Sequence, residues 1–136
     1  FVSTIEVQML SCIGYVLKES VQREKALVEL KKSYDFAEKL PYERKIFELA
    51  KVYYHYGEFL FEEKDYKEAF IVVARGLSFV QQFCSYYYLL ELTDLNGKIL
   101  QKLGKKERAL PFLSLAEYIK NLDFVKSFDS LDFENE

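Results

Sequence analysis

Glycine and proline are scarce in this 136-residue sequence, which contains five and two of them. An all-β domain of this size needs more turn-forming residues to connect its strands. Hydrophobic residues make up 50% of the chain and charged residues 30%, a mixture that can bury a core and keep a solvated surface. The composition therefore argues against a sheet protein and against a disordered chain, and the length fits one domain.

Candidate metal ligands and catalytic groups are equally scarce. Cys12, Cys84 and His55 are the only cysteines and the only histidine, and their spacing fits no zinc motif. No nucleophile has a base at a plausible spacing, and no glycine-rich phosphate loop occurs, so we expect neither an enzyme nor a cofactor. The simplest interpretation of the cysteines is two buried thiols in a reducing compartment, which predicts a cytoplasmic protein.

Long apolar runs and an excess of basic charge are also lacking. No apolar run approaches the ~18 residues of a membrane span, and the first 17 residues have neither the basic start nor the cleavage site of a signal peptide. The net charge is −3, so the chain has no overall positive field to attract a phosphate backbone. We expect no membrane association and no direct DNA contact. Because the chain opens with Phe1 and not Met, we also expect a fragment of a longer protein.

Helical periodicity is the main feature that the sequence does contain. From Arg44 to Glu62 the polar residues are spaced by four and three in alternation, and apolar residues run along the opposite side. This pattern is typical of an amphipathic helix and predicts one over 43–62. His55 falls on the polar stripe, where a solvated side chain is expected. The same pattern predicts further helices over about 3–18, 22–39, 65–83, 86–103 and 106–122.

A glycine followed twelve residues later by an alanine occurs three times in the chain. The pairs are Gly14 and Ala26, Gly57 and Ala69, and Gly97 and Ala109. Glycine inside a helix costs up to ~1 kcal/mol relative to alanine, so three in register indicate that two helices approach closely. We expect three antiparallel helix pairs in which the glycine of the first helix meets the alanine of the second. They would cover about 3–40, 43–83 and 86–122, followed by a tail over 123–136.

This pattern resembles the tetratricopeptide repeat. The second unit matches best and the first least; the matching residues are Tyr53, Tyr56-Gly57, Leu60, Asp65-Tyr66 and Ala69, then Asn96-Gly97, Leu100, Gly104 and Ala109, and finally Gly14, Leu17 and Ala26. The glycines are separated by 43 and 40 residues, against an ordinary period of about 34, which we interpret as longer helices. The resemblance implies an all-α fold in which antiparallel helix pairs stack as an α-solenoid of three repeats.

Residues 43–122 also resemble the C-terminal repeat domain of peptide-pheromone-sensing helix-turn-helix transcription regulators of Gram-positive bacteria. The likeness rests on Gly76-Leu77, the stretch 86–90, Glu91-Leu92 and Leu103-Gly104-Lys105. It implies a quorum-sensing domain that binds a short signalling peptide on its concave face and forms a homodimer in the full-length protein. The alternative is a generic tetratricopeptide adaptor that binds a segment of a partner protein.

Candidate ligand contacts follow from the face that the first helices of such repeats form. Helix geometry and the resemblance place these residues on it: Gln8, Ser11, Tyr15, Lys18, Lys51, Tyr54, Glu58, Phe61, Glu62, Glu91, Asp94, Lys98 and Gln101. The candidate peptide contacts are Tyr15, Lys51, Tyr54, Glu58, Phe61, Asp94, Lys98, Gln101 and Asn96, the last as the polar member of an apolar stripe. Tyr54 and Phe61 are the candidate aromatic anchors. For every residue the alternative is a solvated helix face or ordinary helix packing.

Overall fold

The computed structural model describes residues 3–122, and all the regular structure in this range is helical. The six α-helices are α1 (Thr4–Glu19), α2 (Arg23–Lys39), α3 (Ala50–Glu62), α4 (Tyr66–Gln82), α5 (Leu89–Lys102) and α6 (Lys106–Lys120). No strand occurs between residues 3 and 122, which confirms the all-α prediction. In that range no helix is both long and apolar enough to cross a membrane. The predicted tail 123–136 lies outside the described residues.

The helices pack in three consecutive pairs, α1 with α2, α3 with α4, and α5 with α6. The second helix of the first two pairs also contacts the first helix of the next pair, and α3 contacts both α1 and α5. Within the middle pair the helices are antiparallel, because Gly57 lies against Val73 whereas Tyr53, one turn earlier, lies against Gly76. The first helices α1, α3 and α5 are therefore neighbours in one row.

Each glycine of the repeated pattern lies against the second helix of its own pair. A Cβ atom on Gly14, Gly57 or Gly97 would lie 2.6, 2.5 or 2.6 Å from the nearest side-chain atom, which belongs to Leu30, Val73 or Leu113, respectively. Each neighbour lies one turn beyond the alanine at which contact is expected. Ala26, Ala69 and Ala109 are fully buried. In each pair the alanine of the second helix lies about one helical turn closer to the turn that connects the two helices than the level of the glycine in the first helix. The close approach exists, and the atoms nearest each glycine belong to the residue one turn beyond the alanine.

Three equivalent turns connect the helices within the pairs. Val21, Lys64 and Gly104, each seven residues after a repeated glycine, have left-handed φ angles of 63°, 65° and 76°. In each turn the next N–H donates to a carbonyl five residues earlier, as in the Schellman motif. These bonds join Gln22 to Leu17, Asp65 to Leu60, and Lys105 to Leu100, at 2.9 Å each. The repeat therefore includes the turn, although only the third turn has a glycine there.

The segments between pairs are longer and differ from one another. Residues 40–49 contain two short 3-10 turns, Tyr42–Arg44 and Phe47–Leu49, whereas only residues 83–88 connect α4 to α5. Leu40 is extended because it precedes a proline, and Ile46 is extended as well, with φ −125°. The helix predicted over 43–62 therefore begins only at Ala50, and that boundary is wrong. The long period comes in part from these connections, which the interpretation as longer helices did not foresee.

The expectation of buried thiols is wrong, because Cys12 and Cys84 are both exposed. Cys12 lies on the side of α1 opposite Gly14, which faces α2. Cys84 adopts a left-handed φ of 47° in the turn that ends α4. Neither position is covered by a neighbouring helix among the described residues.

Candidate functional site

A cleft of about 210 Å³ lies between α3 and α5. Residues of α3 spaced by four, three and one form one wall, and residues of α5 form the other. The lining residues are Tyr54, Glu58, Phe61, Glu62, Glu91, Asp94, Leu95 and Lys98. The structure thus brings together five of the nine candidate contacts, namely Tyr54, Glu58, Phe61, Asp94 and Lys98.

Carboxylates dominate the charge of this cleft. Glu58, Glu62, Glu91 and Asp94 line it, and the only lining cation, Lys98, lies 2.8 Å from the carboxylate of Asp94. Burial raises the pKa of Glu91 above its ordinary value. Burial acts in the same direction on Glu58, but hydrogen bonds from Lys18 and Tyr54 outweigh it and lower the pKa of that carboxyl. Glu58 is therefore a carboxylate at neutral pH.

The two aromatic residues of the cleft are held in different ways. The Tyr54 hydroxyl donates a 2.7 Å hydrogen bond to Glu58, and its ring lies 5.4 Å from the ring of Tyr88. Burial, followed by the bond to Glu58, raises the Tyr54 pKa, so the hydroxyl stays protonated. The Phe61 ring lies 5.5 Å from Tyr66 in α4, the second helix of its own pair. Both aromatic side chains are half-buried, so each still offers part of its surface to the cleft.

The equivalent gap between α1 and α3 is filled. The Lys18 side chain is only 5% exposed, and its ammonium lies 2.6 Å from Glu58 and 3.3 Å from Glu62. Ser11 is fully buried, with its hydroxyl 3.0 Å from Nδ1 of His55. The expectation that Ser11 and Lys18 point outward is wrong, because α3 packs over them. Tyr15 remains partly exposed, and the Lys18 ammonium lies 5.2 Å from the centre of its ring.

His55 is part of this filled junction, so the expectation of a solvated histidine is also wrong. Its ring stacks on Tyr15 at 5.0 Å and lies 6.1 Å from Tyr54 and 6.0 Å from Tyr88. Burial lowers its pKa to about 4, and the nearby Lys18 and Lys51 act in the same direction, whereas Glu58 opposes them. His55 is therefore neutral at pH 7 and serves as a packing group between α1 and α3.

Three further candidates lie outside the cleft. Asn96 is 2% exposed on the buried side of α5, and its Oδ1 has no hydrogen-bond partner among the described residues. This burial agrees with its place in an apolar stripe, and its contact with a peptide stays a prediction. Lys51 lies near Gln8 and Ile5 of α1. Gln101 is exposed one turn beyond Lys98.

Within residues 3–122 no three His, Cys, Asp or Glu side chains are placed to hold a metal ion together. Comparisons of the chain with protein-family models, curated proteins and solved structures find no match. Function is therefore inferred from the geometry of the cleft.

Proposed function

We propose that the chain is a tetratricopeptide-like domain, an α-solenoid of three helix pairs that binds a short peptide segment in the cleft between α3 and α5. Support for the solenoid comes from the threefold recurrence of the glycine contact and of the left-handed turn. The row of first helices, in which α3 touches both α1 and α5, is the arrangement that stacked pairs require. Three repeats are about the minimum for a stable stack.

The observation that carries the binding proposal is the combination of two partly exposed aromatic rings with unfilled space between first helices. Aromatic residues in pockets are the usual anchors of binding interfaces. The volume of about 210 Å³ is below the ~300 Å³ of the smallest typical small-molecule pockets. The cleft therefore accommodates one or two side chains of an extended peptide, and the rest of the peptide would lie along the row of first helices.

The charge of the cleft favours a basic side chain on that peptide. Four carboxylates surround the space, and Lys98 is already paired with Asp94. The Tyr54 ring would add a cation–π contact to an ammonium or guanidinium group, worth about 0.5–2 kcal/mol. Lys18 and Arg23 already pair with Glu58 and Glu62, so the excess of negative charge in the lining lies mainly at Glu91. An acidic peptide would meet this excess of like charge, so the cleft disfavours the acidic segments that many adaptors bind.

The two function classes differ in the origin of the peptide. The resemblance to peptide-sensing regulators would make the ligand a free signalling peptide, whereas a generic adaptor would bind an internal segment of a partner protein. A peptide with both ends blocked mimics an internal segment. Equal affinity for blocked and free peptides would favour the adaptor, and loss of affinity on blocking would favour the peptide sensor.

The test uses the absence of tryptophan from the chain, which makes a Trp-labelled peptide the only source of indole fluorescence. A set of heptapeptides that differ only in the central residue, Lys, Gln or Glu, would be titrated against the protein. We expect the Lys peptide to bind best and the Glu peptide not to bind. In the Tyr54→Ala/Phe61→Ala variant, affinity for the Lys peptide should fall by 1–3 kcal/mol, about 5- to 150-fold.

Ile71→Ala is the control, because Ile71 is an exposed apolar residue on α4 that does not line the cleft. It should bind the Lys peptide as the parent does. Unchanged affinity of the Tyr54→Ala/Phe61→Ala variant, with an unchanged circular dichroism spectrum, would show that peptides bind elsewhere or not at all.

A further inference from the structure

A second cavity, hereafter the α2–α4 cavity, lies where the start of α2, the end of α3 and the start of α4 meet. Its volume of about 660 Å³ lies within the ~300–1,000 Å³ of typical small-molecule sites, which the cleft between α3 and α5 does not reach. Leu27, Phe59 and Leu60 supply its apolar lining. Among the described residues it shares no lining residue with that cleft.

The internal repeat explains why space remains at this place. When the pairs are aligned on their glycines, Phe70 of α4 occupies the position of Leu27 in α2. The Phe70 ring packs against the core, whereas the smaller Leu27 side chain is 40% exposed. Glu68 of α4 corresponds in the same way to Arg108 of α6, so the pairing of the helices does not require a carboxylate at this position.

The Tyr56 hydroxyl is the feature that points to a ligand. Tyr56 lines the cavity and is only 4% exposed, yet its hydroxyl makes no hydrogen bond within residues 3–122. Buried polar groups of folded proteins are nearly always hydrogen-bonded, so this one lacks an expected partner. Burial raises the pKa of Tyr56 to about 12, and the carboxylates of Glu68, Asp35 and Asp65 act in the same direction. Glu68 and Asp65 also line the cavity, so the protonated hydroxyl faces it beside them.

The charge of the lining favours a cationic ligand. Arg23 is already paired with Glu63 at 2.6 Å, and Lys31 is the only other lining cation within residues 3–122. Three further carboxylates outnumber it, those of Glu24, Asp65 and Glu68. Glu68 is half-buried and makes no ion pair in the described part of the chain, and Arg75 acts on it only at longer range, from outside the lining. A partly buried carboxylate thus lies beside a hydroxyl that lacks a partner.

We propose that the α2–α4 cavity binds a small organic amine. The alkyl or aryl group of the amine lies against Leu27, Phe59 and Leu60, and its ammonium donates hydrogen bonds to Glu68 and to the oxygen of the Tyr56 hydroxyl. Apolar walls with a few placed polar groups are the usual construction of a small-molecule site. This inference does not depend on the proposed peptide cleft.

The first experiment titrates the isotope-labelled protein with phenylpropylamine, with the neutral phenylpropanol and with the anionic phenylpropanoate, and follows the backbone amides by NMR. We expect the amine to bind with a millimolar Kd, as ligands of this size do, and to shift amides at the start of α2, the end of α3 and the start of α4. The alcohol should bind about fivefold more weakly or worse, and the anion should not bind. Equal affinities for amine and alcohol, or no shifts with the amine, would overturn the inference.

The second experiment removes the two polar contacts one at a time. Tyr56→Phe deletes a hydroxyl without a partner, so the melting temperature should not fall, whereas affinity for the amine should drop about threefold or more. Glu68→Gln should lower that affinity about tenfold, because the ammonium loses a charged acceptor. If Glu68→Gln instead lowers affinity for the Lys heptapeptide, the cavity holds a peptide and the inference is wrong.

The third experiment closes the cavity with the ring that α4 already carries. Leu27→Phe reproduces Phe70 of the next pair and should abolish the amide shifts, with an unchanged circular dichroism spectrum. Val28→Phe is the matched control, because Val28 is exposed next to Leu27 but does not line the cavity, and it should bind as the parent does. Amine binding that persists in Leu27→Phe and is lost in Tyr54→Ala/Phe61→Ala would place the amine in the cleft and contradict the proposal.

Discussion

The two gaps between neighbouring first helices are formed by corresponding positions of the helices, but side chains fill the first gap and leave the second open. Between α1 and α3, Lys18 reaches across to Glu58 and Glu62 and closes the gap. Phe61 occupies the corresponding position of α3, but its ring contacts Tyr66 of α4 and leaves the gap towards α5 open. His55 fills the first gap, and at the equivalent position Leu95 only lines the second.

Under the proposed function, this difference separates the residues that build the helix pairs from those that would determine binding. The glycine contacts and turns recur in all three pairs, so they determine how the pairs are built. A few side chains then decide whether a gap is packed or available. The proposed site is thus a local departure from the construction that the three helix pairs share, in line with the general separation of fold from function.

The largest expected effect comes from Gly57→Leu, because α3 forms one wall of both gaps. A Cβ at this position would already lie 2.5 Å from Val73 and 3.7 Å from Leu95. A leucine should force α3 away from α4 and reduce the free energy of unfolding by about 3 kcal/mol, measured by urea denaturation. Gly57→Ala should cost less, since only Val73 has to move. An unchanged urea midpoint for the leucine variant would contradict the close contact.

The closed gap should depend on Lys18 far more than the open cleft depends on Lys98. Lys18 is buried beside two carboxylates, whereas Lys98 is 54% exposed and pairs with Asp94 one turn away on the same helix. Lys18→Met leaves Glu58 without its cation and leaves Glu62 paired with Arg23 alone, and it should cost about 2 kcal/mol. Lys98→Met should cost below ~0.5 kcal/mol. Equal urea midpoints for the two variants would refute the distinction between the gaps.

The closed gap should also weaken in mild acid, through His55. The folded-state pKa of about 4 is below the ordinary 6.5, so the contribution is complete above pH 6.5 and is lost as the pH falls towards 4. Between pH 7 and pH 5.5 the free energy of unfolding should drop by about 1 kcal/mol. The lowered pKa of Glu58 destabilises only at lower pH, and the raised pKa of Glu91 acts in the opposite direction.

His55→Gln is the control for this pH dependence, because glutamine does not titrate. Its free energy of unfolding should be nearly flat between pH 7 and pH 5.5. If parent and variant lose stability in parallel over that range, another group is responsible.

Helix positions follow from the sequence more readily than the ends of some helices do. Hydrophobic spacing places five of the six helices within about three residues of their observed bounds, because each has one buried side. It fails at residues 43–49, where Arg44 and Glu48 continue the polar spacing inside short 3-10 turns. Spacing alone does not detect the extended Leu40 and Ile46 that interrupt the chain there. The sequence also does not predict the left-handed turns at Val21 and Lys64, because neither residue is a glycine.

Helix geometry likewise predicts the positions of some residues of the candidate site and not of others. Helix geometry brings Tyr54, Glu58 and Phe61 to one side of α3, and these residues do line the cleft. It misplaces Lys18 and His55, because whether a polar residue is buried depends on which helix packs over it, whereas Asn96 is buried as its apolar stripe predicts. A lysine that pairs with carboxylates 40 and 44 residues away leaves no trace in the periodicity of its own helix.

The smallest expected effect concerns the turn that follows Lys18. Val21 is β-branched and 81% exposed, and it adopts a φ of 63° that suits glycine. Its N–H donates to the Lys18 carbonyl at 3.1 Å, so the turn ends the helix beside the closed gap. Val21→Gly removes about 1–2 kcal/mol of strain and adds about 0.5–1 kcal/mol of chain entropy to the unfolded state, for a net gain of about 0.5–1 kcal/mol. The expected rise in melting temperature is about 2–4 °C. Gly104→Val, the reverse change in the equivalent turn, should lower it, because no other heavy atom lies within 4 Å of a Cβ there and only the backbone angle is at stake. If Val21→Gly lowers the melting temperature instead, the turn after α1 does not have the left-handed conformation of the other two.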